Sequence, residues 1–128
     1  MMAAKRFAKA VIAAVREGKY FGIRAGRAPH RFIGIWAVDV EGRVFVRSWT
    51  LKPRSWWRTF LEEPIGALQV PGRARALKVR ALQTRSERLR DAVDRAYLEK
   101  YNTKGSLHYS RGFRTKRRRA TTTELVPL

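Results

Sequence analysis

Two apolar runs, Arg31 to Val40 and Arg43 to Trp49, meet at Glu41-Gly42, and no other stretch constrains the fold as much. Gly42 supplies the positive φ that a tight hairpin turn needs. Phe32, Gly34, Trp36 and Val38 alternate with Ile33, Ile35 and Ala37, so both faces of the first strand are largely apolar. Strands of that kind are covered on both sides. The hairpin therefore predicts a small barrel with a helix or a second subunit on its outer wall. It also predicts a homodimer, with this hairpin or a Trp56–Phe60 helix at the interface.

The remaining elements follow from periodicity and punctuation. Residues 3–18 read as an amphipathic helix, with Phe7, Val11, Ala14 and Val15 on one face and Lys5, Lys9 and Arg16 opposite. Gly18 stops it. A basic, acid-poor helix at this place also fits a targeting or membrane-surface segment. Tyr20 to Arg24 reads as a strand. Ile65 to Val70 and Arg73 to Leu82 read as two more, around a Pro71-Gly72 turn. Thr84-Arg85-Ser86-Glu87 fits a capping box that opens a helix to Tyr101. Residues 102–119 lose periodicity and read as a connection to a last strand over Ala120 to Val126.

A chain of 128 residues is one domain. It has no Cys and only two His, which excludes disulfides and thiol catalysis and argues against a structural zinc site. No apolar run is long enough to span a bilayer, and a cytoplasmic location is expected. The formal charge of +19 favours polyanionic partners. Six of the nine residues from Arg111 to Arg119 are basic, with Tyr109 and Phe113 near them. This connection is a candidate arm for nucleic acid, or a solvated loop.

The densest chemistry lies between Arg47 and Pro64, which holds three of the four tryptophans and four cations. Pro53 suits the first turn of a helix, whose free N–H groups, flanked by Lys52 and Arg54, form a candidate anion site. Trp56/Phe60 and Trp57/Leu61 are i,i+4 pairs that give this helix a wide apolar surface, and Pro64 ends it. Neither a nucleophile elbow nor a Walker A or dinucleotide-binding glycine motif is present. Any redox chemistry would therefore come from a bound cofactor.

The order of elements resembles the split β-barrel proteins related to pyridoxamine-phosphate oxidase, and within them the deazaflavin-dependent nitroreductase group. Ser48, Lys52, Pro53, Trp56, Trp57 and Pro64 match that group's strand, basic loop and Trp-containing helix. Two places depart from it: Trp49-Thr50-Leu51 replaces a glycine-rich loop, and Gly26-Arg27-Ala28-Pro29 a longer basic entry. Nearly the whole chain also resembles a bacterial family known only as a domain of unknown function. The run RVFVRSW from Arg43, KPRSWW from Lys52 and AYLEKY from Ala96 carry that likeness.

The resemblance implies an α+β split barrel of the FMN-binding type. About six antiparallel strands are expected, with an N-terminal helix, a short Trp-rich helix and a longer helix in the C-terminal half. It implies a phosphorylated cofactor, FMN or a deazaflavin coenzyme, with Arg47, Ser48, Lys52, Pro53 and Arg54 around its phosphate. Trp49 or Trp56 would flank its ring, and Trp57 belongs to the same cofactor-binding set. The basic connection is expected outside that groove. The function expected is reduction of a small substrate. The alternatives are a nucleic-acid-binding module without catalysis, and a split barrel that has lost its cofactor.

Overall fold

In the computed structural model, residues 5–128 are described. They form α1 (Lys9–Glu17), β1 (Phe21–Ala25), β2 (Ile33–Ile35), β3 (Ala37–Val40) and β4 (Arg43–Val46), then α2 (Trp56–Glu62), β5 (Ile65–Gln69) and β6 (Leu77–Gln83). After these come α3 (Glu87–Lys100), α4 (Leu107–Gly112), α5 (Lys116–Arg119) and β7 (Thr123–Pro127). The hairpin turns where expected. Val40 pairs with Arg43, and Glu41 and Gly42 have φ of 54° and 70°, the two positive values of a type I′ turn.

All strand pairs are antiparallel, in the order β2-β1-β5-β6-β7-β4-β3. The two outermost strands are consecutive in the chain, joined through Trp36 alone, so the sheet curls into a nearly closed barrel. The α+β barrel is as expected, but it has seven strands rather than about six. The strand expected from Arg31 is two strands, broken at Trp36 by contacts from Tyr97 of α3 and from Tyr101, its C-cap. The Trp36 ring stacks on Tyr101, with centroids 4.2 Å apart. Tyr97 Oη donates to Trp36 O at 3.0 Å, and Ala37 N donates to Tyr101 Oη at 3.3 Å. Tyrosine hydroxyls thus take over where a strand ladder would otherwise continue.

Alternation on the hairpin feeds two cores. Ala37, Val44 and Val46 point into the barrel, with Ile23, Leu68, Val79 and Leu125. α1 adds Val11, Ile12 and Val15 to that core, and α2 adds Trp56 and Phe60. Val38 and Phe45 point outward against Leu89, Val93 and Tyr97 of α3. Burying a side chain such as Phe45 contributes about 1.5–3 kcal/mol. The outer cover expected from the hairpin is therefore α3 of the same chain. Of the surfaces named for a dimer interface, Trp56 and Phe60 and the β3–β4 part of the hairpin are buried within the chain, while Ile33 and Gly34 of β2 stay exposed.

Several boundaries move. α1 begins at Lys9, and residues 3 and 4 of the expected helix lie outside the described residues. The α3 cap is Ser86, whose Oγ accepts from Leu89 N at 3.2 Å. Thr84 is instead tied to the last strand's approach, its N donating to Thr122 O. β6 starts only at Leu77, and β7 starts three residues later than expected and ends one later. The connection expected to be irregular contains two short helices, α4 and α5. No helix among the described residues is long and apolar enough to cross a membrane.

Lys100 ties α3 to α1 and the barrel seam. Its Nζ donates to Val15 O at 2.6 Å and to Ala37 O at 2.7 Å. Burial, followed by the Lys19 ammonium, lowers its pKa to about 8; Asp39 opposes the shift. A neutral amine still has two protons for two carbonyls. Between pH 8 and 10 the unfolded chain holds a proton that the folded chain has released, so stability rises with pH there. Above about 10 the buried Tyr97 and Tyr101 hydroxyls, whose pKa values are raised mainly by burial, reverse the slope. Melting temperatures over this range should rise and then fall, and Lys100→Met should remove the rise. A rise of the same size in Lys100→Met would assign it elsewhere.

Candidate functional site

The broken strand opens a groove beside the seam. Its walls are Ile33 to Trp36 on one side, Trp49 and Thr50 after β4, Arg54 to Trp56 at the start of α2, and Tyr109 and Phe113 from α4. Its volume is about 430 Å³. This lies within the usual range for small-molecule sites, and the lining is mostly apolar, with five aromatic side chains.

Trp49 is the most constrained wall. Tyr109 and Phe113 meet its ring edge-on, with centroids at 4.8 and 5.6 Å. The Arg118 guanidinium lies 3.8 Å from the ring centroid, and its Nε donates to Trp49 O at 2.9 Å. Gly112 leaves room for the indole, since a Cβ there would come within 2.5 Å of the ring. The basic connection therefore builds part of the groove, contrary to the expectation that it lies outside.

The expected phosphate residues separate into two sets. Arg47 is 1% exposed. Its guanidinium donates to Thr122 Oγ1 at 2.8 Å, Phe113 O at 3.1 Å and Arg90 O at 2.8 Å, and pairs with Asp94. Burial lowers its pKa, while Asp94 opposes that shift. These four partners leave it no role at a ligand phosphate. Ser48 is also buried, its Oγ donating to Thr50 O at 2.7 Å and its N donating to Thr121 Oγ1. Lys52 and Arg54 are exposed, and neither side chain has a hydrogen bond or ion pair among the described residues. Arg54 lines the groove and Lys52 does not.

Pro53 sits in a turn before α2 rather than in its first turn. Ser55 N donates to Lys52 O at 3.1 Å, and Ser55 Oγ caps the helix by accepting from Arg58 N. The helix starts at Trp56 and has seven residues, too short to serve as the expected anion site. Trp56 lines the groove. Trp57 faces away, its Nε1 donating to Gln83 Oε1 at 2.8 Å. The groove thus unites Arg47, Trp49, Arg54 and Trp56 of the expected set, and leaves out Ser48, Lys52, Pro53 and Trp57.

Trp36 and Ser55 are site residues that local sequence did not mark, and Tyr109 and Phe113, read there as part of a nucleic-acid arm, line the groove instead. The i,i+4 spacing of Tyr109 and Phe113 was the only available sign of α4. No group of His, Cys, Asp or Glu among the described residues could hold a metal ion.

The family described as "Uncharacterized protein conserved in bacteria (DUF2255)" matches residues 11–125. The chain belongs to that family. The matched span of the DUF2255 chain runs from α1 into β7, so it includes every wall of the groove. No curated protein and no solved structure matches the chain.

Proposed function

We propose that this DUF2255 protein binds a phosphorylated flavin-type cofactor, FMN or a deazaflavin coenzyme, in the aromatic groove and serves the reduction of a small substrate in the cytoplasm. The observation that carries this reading is the pairing of aromatic walls with one uncommitted guanidinium, Arg54. Trp49 and Trp56 would flank a planar ring, with Trp36 and Tyr109 completing the slot. Arg54 would bind the phosphate bidentately, and Thr50 and Ser55 are uncharged polar side chains of the same lining. Such a ring supplies hydride transfer when bound. The chain's own part is to orient the ring, exclude water from one face and fix the anion.

The expected homodimer stays in this reading, moved to the groove's open side. Ile33 and Tyr109 are exposed there, at 39% and 43%. The reading of residues 111–119 as a free nucleic-acid arm is weakened by two of its cations. Arg118 is stacked on Trp49, and Arg119 is paired with Asp94, Asp91 and Glu87.

Titration with FMN, followed by tryptophan quenching, tests the proposal. Arg54→Ala should weaken binding by about tenfold to a hundredfold, the loss of one charge-assisted contact. Its melting temperature without ligand should match wild type. Lys52→Ala should have a smaller effect, since Lys52 stands outside the lining. No binding of FMN or a deazaflavin by wild type would sink the cofactor reading and leave a barrel without one. Light scattering on the same samples should give a dimer mass; a monomer at every accessible concentration removes the dimer.

A further inference from the structure

The barrel's outer side is covered unevenly. α3 lies over β3, while no helix among the described residues packs across the outer side of β5 or β6. Register shows what that bare face carries. Arg24, Ala67 and Lys78 stand in one row across β1, β5 and β6. Ile65, Arg80 and Val126 stand in the next, across β5, β6 and β7. Glu124, the one acid at these outward positions, is held by Arg43 at 2.8 and 3.0 Å. Lys78 and Arg80 are exposed, and no ion pair involves them or Arg24 among the described residues.

A cleft of about 510 Å³ adjoins this face, between Gly22, Phe32 and the loop from Val70 to Ala76. Three aromatic residues line it, Tyr20, Phe21 and Phe32. Tyr20 is 76% exposed, and Phe32 lies under the Arg24 guanidinium, 4.6 Å from the ring centroid. Arg73, also exposed, lies on the same cleft.

We propose that this face and cleft bind single-stranded nucleic acid, with phosphates on Arg24, Lys78 and Arg80 and a base against Tyr20. Side chains two residues apart on a strand are about 7 Å apart, and alternate strands are about 10 Å apart. The strand ladder therefore holds the three cations on the barrel's outer wall with gaps of about 7 and 10 Å, within reach of successive backbone charges. A free ring beside a cationic track suits an unpaired base and has no use on a duplex, whose bases are stacked inside. β6 is the middle strand of the seven and the groove lies where the outer two meet, so the cation rows on β6 lie away from the groove, while the cleft borders it at Gly34, which lines both. The inference is independent of the cofactor reading.

Anisotropy of fluorescein-labelled oligo(U) and oligo(dT) over a salt series tests this on the full chain. The Arg24→Gln/Lys78→Gln/Arg80→Gln variant should lower the slope of log affinity against log salt by about 2, at ~0.7 per lost contact. Tyr20→Ala should weaken binding by about tenfold while leaving the slope unchanged. Should the triple variant fail to fold, Lys78→Gln/Arg80→Gln should lower the slope by about 1.4. FMN titration should be unaffected by all of these. The proposal is overturned if wild type binds neither oligonucleotide, or binds only vesicles containing phosphatidylserine. It is equally overturned if the slope falls with Lys116→Gln/Arg117→Gln and not with the triple variant.

Discussion

Replacing Asp94 with Ala should cost about 3–5 kcal/mol of folding stability, because it strands a buried cation. Arg47 is 1% exposed and its guanidinium donates to two carbonyls and one hydroxyl, none of which carries charge. Asp94 alone neutralises it, and the same carboxylate also receives Arg119. Without Asp94 the second guanidinium adds repulsion to the desolvation that Arg47 already suffers. For a domain of this size the loss corresponds to roughly 10–20 °C in melting temperature. The exposed pair Arg16–Asp39 is the comparison: Arg16→Ala should change stability by less than about 1 kcal/mol. Thermal denaturation of both variants checks this. Equal losses would mean that Asp94 is not the counter-charge the geometry makes it. Replacing both Arg47 and Asp94 with apolar residues should recover much of the loss.

Gly66→Ala should destabilise by about 1–3 kcal/mol or more, reversing the sign usual for that change in a strand. Its Cβ would lie 2.2 Å from Arg24 O and 2.9 Å from the Phe60 ring. The carbonyl belongs to the neighbouring strand, so it cannot swing away as a side chain would. Either β1 or β5 must shift, and Phe60 must move from the end of the barrel core. Gly34→Ala is the control, since a Cβ there meets nothing within 4 Å and its φ is not positive. It should be neutral or stabilising by up to about 1 kcal/mol. Chemical denaturation curves would expose the error if the two variants behaved alike.

The legible parts of the fold were those whose cause is local. Glu41-Gly42 announces its turn because the turn needs positive φ at those two residues. Trp36 gives no local sign of breaking its strand, because the break depends on Tyr97 and Tyr101, more than sixty residues later. The same distance problem affects the site. Arg47 looks like a ligand cation beside Ser48 and Trp49, yet its counter-ion is forty-seven residues away. Arg54 was legible as an exposed cation, and Trp49 and Trp56 as its aromatic neighbours. α4 and α5 were not: they have six and four residues and no side-chain cap at their first turns.

The position of β7 has a consequence for how the chain is made. β7 lies between β6 and β4, paired with both. Before residues 123–127 leave the ribosome, β2-β1-β5-β6 and β4-β3 have no common ladder. The nascent chain must carry two open sheet edges, one on β6 and one on β4, until residues 123–127 have emerged. Such edges invite pairing with other chains. Arg80, Lys78 and Arg43 stand on those two strands, and their mutual repulsion discourages premature partners while the barrel waits for its keystone.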